Sequence, residues 1–203
     1  MKRIVFGLLA AAALWPAALS AQYVSNARGP WFDRLTLEPY AGLYIDNAGS
    51  TGAGLDQSGW LGGVRPGMAL TDRVRLLGDL GYSRVNEVAR IGTGENSAVI
   101  GSENWLATGG LELDVVPGET AGALGLQYGA AWRSESLREV MGSPSPDGVE
   151  SGWTRSAVIV PSFSIRHRIA PRADLRLGVQ DYIFFDNDPL SHNFALTAGI
   201  SLR

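Results

Sequence analysis

Charged side chains recur at alternate positions inside otherwise apolar runs of this chain, at Glu38, Arg65, Arg75, Asp79, Glu112, Asp114, Arg166, Asp174 and Arg176. Residues two apart on a strand share one face. Glu112 and Asp114 therefore put two carboxylates side by side, a combination that general acid/base chemistry of the glycosidase kind requires. No substrate cleft is marked around them, and a simpler chemistry is available. Charges of both signs gathered in one interior neutralise each other, because an isolated buried charge is very costly. Such a set makes either a salt-bridge plug or a gate whose pairs exchange to admit ions.

Other chemistries find less to work with. His167 and His192 are the only histidines and fall far apart in the pattern, so a metal site shared by the two is not expected. Ser191 beside His192 resembles the Ser and His of outer-membrane lipid A deacylases, yet adjacent strand residues point to opposite faces. Asp186-Asn187-Asp188 lacks the twelve-residue ligand spacing of a calcium loop and reads as a polar loop. The absence of Cys removes thiol nucleophiles, thiolate metal sites and disulfides. No catalytic residue, cofactor or metal is expected, and the chain does not read as an enzyme.

The elements that must position these charges are strands. Period-two alternation appears in eight segments, at 35–45, 60–70, 74–84, 105–115, 121–133, 153–166, 173–183 and 194–202. In the fourth, Trp105, Ala107, Leu111, Leu113 and Val115 share one face, while Thr108, Gly110, Glu112 and Asp114 share the other. Pro39, Pro66 and Pro161 interrupt this regularity; proline lacks the ladder donor, so β-bulges or local breaks are expected there.

Connection lengths alternate along the chain. Short links with turn chemistry lie at Thr71-Asp72-Arg73, Pro117-Gly118-Glu119 and Ala170-Pro171-Arg172; long ones lie at about 46–59, 85–104, 134–152 and 184–192. Three short and four long connections suit an eight-stranded antiparallel up-and-down barrel with both termini on the short-turn side. Tyr44, Trp60, Tyr82, Trp105, Trp132, Trp153, Phe184 and Phe194 lie toward the long loops, one on each strand, and read as an outer aromatic girdle.

The N-terminus reads as a secretory signal peptide over 1–21: Lys2 and Arg3, an apolar run from Ile4 to Leu14, then Ala17, Ala18, Ser20 and Ala21. Residues 22–34 are expected to form an N-terminal periplasmic segment, and 35–203 the barrel domain. Without Lys2 and Arg3, 15 Arg and no Lys remain against 20 acidic residues, which gives no footprint for nucleic acid. No window after the signal approaches 18 uninterrupted apolar residues, so helical spans are excluded while barrel strands are not.

In strand pattern the chain resembles the small OmpA-like and OmpX-like eight-stranded outer-membrane barrels, an outer-membrane β-barrel, porin-like group. The resemblance covers 35–203 and rests on stretches such as Leu35-Thr-Leu-Glu-Pro-Tyr-Ala-Gly-Leu43, Leu111-Glu-Leu-Asp-Val-Val-Pro117 and Asn193-Phe-Ala-Leu-Thr-Ala-Gly-Ile-Ser-Leu202. The group's terminal strand commonly ends in an aromatic residue; this one ends Leu202-Arg203. The resemblance implies a monomer in the cell outer membrane, with outer-membrane lipid and the barrel assembly machinery as partners and an extracellular ligand reached through the loops. Three functions stay open: a structural or surface-interaction barrel with a charge-plugged lumen, a narrow porin-like channel for ions or small solutes, and a secreted soluble β-barrel binding a small apolar ligand.

Overall fold

A computed structural model describes residues 34–46, 58–90, 97–141, 152–185 and 191–203. The expected signal peptide, nearly all of the 22–34 segment and the Asp186-Asn187-Asp188 loop lie outside the described residues. Eight strands follow in order: β1 (Leu35–Ile45), β2 (Ser58–Ala69), β3 (Val74–Arg90), β4 (Ser97–Val116), β5 (Thr120–Met141), β6 (Trp153–Ala170), β7 (Ala173–Phe184) and β8 (Ser191–Leu202). Each pairs antiparallel with its sequence neighbours, and β1 pairs with β8, so the sheet closes into an all-β up-and-down barrel. Closure removes the sheet edges that would otherwise expose unpaired backbone groups.

The short turns lie at one end. At 70–73 the Thr71 hydroxyl accepts the Arg73 and Val74 amides at 3.2 and 3.0 Å, a local hydroxyl turn. In the β4–β5 turn Gly118 adopts a φ of +152°, a conformation that side chains rarely take. Alternation then sorts the two faces. Leu80 and Leu126 point outward and are 58% and 60% exposed, whereas Glu38, Arg65, Asp79 and Glu112 point inward and are buried. From Trp105 to Val115 the outer face of β4 advances ten residues, which at ~3.4 Å per residue and a tilt of about 40° spans roughly 26 Å, close to the apolar band of a membrane barrel.

Two parts of the loop expectation are corrected. The link at 85–104 is largely β-ladder, and so is the first part of 134–152 as far as Met141: pairing runs to Arg90↔Ser97 between β3 and β4, and to Ser97↔Met141 between β4 and β5. The apolar alternation stops near the belt but the backbone ladder does not, because beyond an apolar band a strand has no amphipathic pattern to keep. Tyr82, Trp105 and Trp132 consequently lie within their strands, with β3 running about 27 Å past Tyr82.

The prolines act through missing donors. Pro39, Pro66 and Pro161 each stand in a gap of the ladder on one side, between β1 and β8, β2 and β3, and β6 and β7. Register is the same before and after each gap, so these are breaks without an inserted residue. The register shifts lie elsewhere, at Val99/Ile100, Asp114/Val116 and Arg168/Ala170. At the second, Val115 and Val116 both face out, as a bulge permits.

Candidate functional site

Eight of the charges singled out in the sequence meet in the lumen as one alternating series. Arg65 donates from Nε and Nη2 to Asp79 Oδ2 at 3.0 and 2.8 Å, and from Nη1 to Glu38 Oε1 at 2.7 Å. Glu38 Oε2 lies 3.5 Å from Arg176, which also donates to Glu112. Arg166 bridges Glu112, at 3.8 Å, and Asp114. Arg75 ends the series 4.0 Å from Asp114, with its side chain 16% exposed. Acid and base alternate without exception from Asp79 to Arg75, four of each. Asp174, the ninth, stands apart and is paired with Arg203 and, at 3.8 Å, with Arg168.

The far end of the series is held by Tyr40, whose hydroxyl donates to Asp79 Oδ1 at 2.6 Å while the Arg65 guanidinium lies 4.6 Å from its ring centroid. The tyrosine reaches Asp79 only because its path is clear. Gly63 and Gly81 are cross-strand partners, and a Cβ on either would sit 2.8 or 2.7 Å from the Tyr40 hydroxyl.

Toward the long-loop end the lumen holds an apolar cluster. Leu61, Val85, Leu106, Val158 and Phe184 are all at least 96% buried, and they form one cluster with Tyr40, Tyr44 and Tyr182. Reading inner faces by polarity missed these residues. Their position parity was the available signal: Leu61 shares its face with Gly63 and Arg65, and Leu106 shares its face with Thr108 and Glu112. Polar side chains fill the remainder in pairs, with Asn193 donating to the Tyr44 hydroxyl at 2.9 Å, Asn104 to Ser83 at 3.1 Å and Thr108 to Gln127 at 2.7 Å.

Two members of the expected girdle are corrected by the same parity. Tyr44 and Phe184 face the lumen, 0% and 4% exposed, since Tyr44 shares its face with Glu38 and Phe184 with Arg176. Trp60, Tyr82, Trp105, Trp132, Trp153 and Phe194 face outward. Trp60, Tyr82 and Trp105 pack as a tilted row with centroids 5.3 and 4.8 Å apart, and the Arg155 guanidinium stands 5.9 Å from the Trp132 ring. His192 faces Asp181 at 3.0 Å, and His167 faces Thr120 at 2.8 Å.

A closed eight-stranded sheet, charged within and apolar without, defines the class of transmembrane β-barrels. Solved structures share that fold. The chain is similar to Neisserial surface protein A, at 14% identity with a TM-score of 0.51, over 83% of this chain and 95% of that one. It is also similar to the outer membrane protein OprG from Pseudomonas aeruginosa, at 10% identity with a TM-score of 0.53, over 84% and 96%. No protein-family model and no curated protein matches the chain.

Proposed function

We propose that this protein is an outer-membrane barrel with a structural or surface-interaction role, its lumen plugged by the ion series and its loops presented outside the cell. The observation that carries the plug is the unbroken alternation from Asp79 to Arg75, in which every interior member touches two partners of opposite sign. Charge-balanced series of this kind hold their geometry, because breaking any link strands a buried charge. The apolar cluster around Leu106 and Phe184 supports a second closure nearer the loops. The apolar outer wall favours lipid over water as its surroundings, since soluble monomers rarely expose large contiguous apolar patches.

A narrow channel is the second reading, and Arg75 favours it: this is the most exposed and most loosely held member of the series. Planar-bilayer conductance separates the two. The plug predicts a bilayer that holds purified protein without steady channels. Steady channels in the wild type that vanish when Arg75 or Glu112 is neutralised would establish the pore instead.

A further inference from the structure

Glu112 sits at the middle of the ion series with its side chain wholly buried, and its two oxygens are served unequally. Oε2 accepts from Arg176 and lies 3.5 Å from the Ser164 hydroxyl. Among the described residues Oε1 has no hydrogen-bond partner, with Arg166 Nε 3.8 Å away, beyond bonding distance. Arg166 Nε and Arg176 Nε are also buried without an acceptor. Glu112 and the two arginines paired with it thus leave two N–H donors and one carboxylate acceptor unspent. Buried polar groups are nearly always partnered, so three orphans in one cluster call for a common partner.

The chemistry of that partner is constrained. An anion would meet the Glu112 carboxylate, and a cation would meet two guanidinium groups. The charges around Glu112 are already balanced within the series. What fits is a neutral molecule that accepts twice and donates once. Glycine lets neighbours close in on this part of the wall: Gly125, the β5 partner of Glu112, lies under the Ser162 hydroxyl, and Gly199, the β8 partner of Arg176, lies under Tyr40 and Glu38. Cross-strand pairing also sets Arg166 opposite Arg176, a like-charged pair whose guanidinium groups both reach Glu112.

We propose that this cluster is a binding site for a structural water, which accepts from Arg166 Nε–H and Arg176 Nε–H and donates to Glu112 Oε1. Buried waters typically make about three such bonds to groups that would otherwise go unsatisfied. The central link of the plug is then hydrated, and its resistance to ions rests on charge balance rather than on dryness. Dryness belongs to the apolar cluster nearer the loops.

The test is water-selective magnetisation transfer to arginine Hε protons, measured by NMR on the full protein in lipid nanodiscs. Single R166K and R176K substitutions assign the two signals. Both Hε protons are expected to show direct cross-peaks to water in the wild type. E112Q, which keeps an acceptor oxygen, is expected to retain them, and E112M to lose them. Cross-peaks to protein protons alone in the wild type would overturn the site even if E112M failed to fold, as would an E112M spectrum that still shows water at both protons. The readout does not depend on whether the lumen conducts.

Discussion

Replacing Arg65 with methionine removes one guanidinium and leaves two carboxylates inside the barrel. Three charge-assisted hydrogen bonds disappear, two to Asp79 and one to Glu38, together with the cation over the Tyr40 ring. Among the described residues, Asp79 keeps only the Tyr40 hydroxyl, and Glu38 keeps only Arg176 at 3.5 Å. Breaking a buried pair from one side costs about 3–5 kcal/mol. At about 1.4 kcal/mol per tenfold, that lowers the folding equilibrium constant by roughly two to three and a half orders of magnitude. Reversible urea unfolding from lipid vesicles, followed by tryptophan fluorescence, measures it, since Trp60, Trp105, Trp132 and Trp153 all face outward and report transfer from lipid to water. R65M combined with D79N is expected to cost clearly less than the two single changes added together, because the second substitution removes the charge that the first leaves stranded. In a water-filled pore the same pairs would be screened and worth about 0–1 kcal/mol. An R65M cost of that size, or strict additivity in the double variant, would mean that Arg65 and its carboxylates do not form a buried, coupled set.

Other outcomes follow from the same geometry. G81A places a methyl group 2.7 Å from the Tyr40 hydroxyl and is expected to destabilise the barrel by about 1–3 kcal/mol, the usual cost of overpacking; Y40F in the same chain should recover part of the loss in the same unfolding assay. L126R puts a charge on an outward position that is 60% exposed. In lipid vesicles this should cost about 2–4 kcal/mol if the position lies near the bilayer midplane, whereas a soluble surface would register within about 0.5 kcal/mol.

Strand number, order and antiparallel pairing were legible because period-two alternation survives wherever one face meets an apolar medium. The lumen charges were legible for the same reason: Glu38, Arg65, Glu112 and Arg176 are conspicuous among apolar neighbours. Which charge touches which was not, because partners come from different strands; Glu38 and Arg176 belong to β1 and β7 and meet only across the closed interior. Tyr44 and Phe184 were misplaced because a girdle was read from residue type and nearness to a loop, while their own parity assigned them inward. Leu61, Leu106 and Val158 escaped for the complementary reason, being apolar residues at interior positions of a barrel whose interior was read as polar. The extension of β3, β4 and β5 is seen in the backbone ladder and has no period-two hydrophobic signal in the sequence.

The central claim, a closed barrel that resides in the outer membrane, is tested most directly by fractionating expressing cells and comparing gel mobility with and without boiling. Recovery in the outer-membrane fraction is expected, with the unheated band running at a different apparent mass from the boiled one as the intact barrel resists detergent. Recovery in the soluble periplasmic fraction with a single heat-independent band would contradict it.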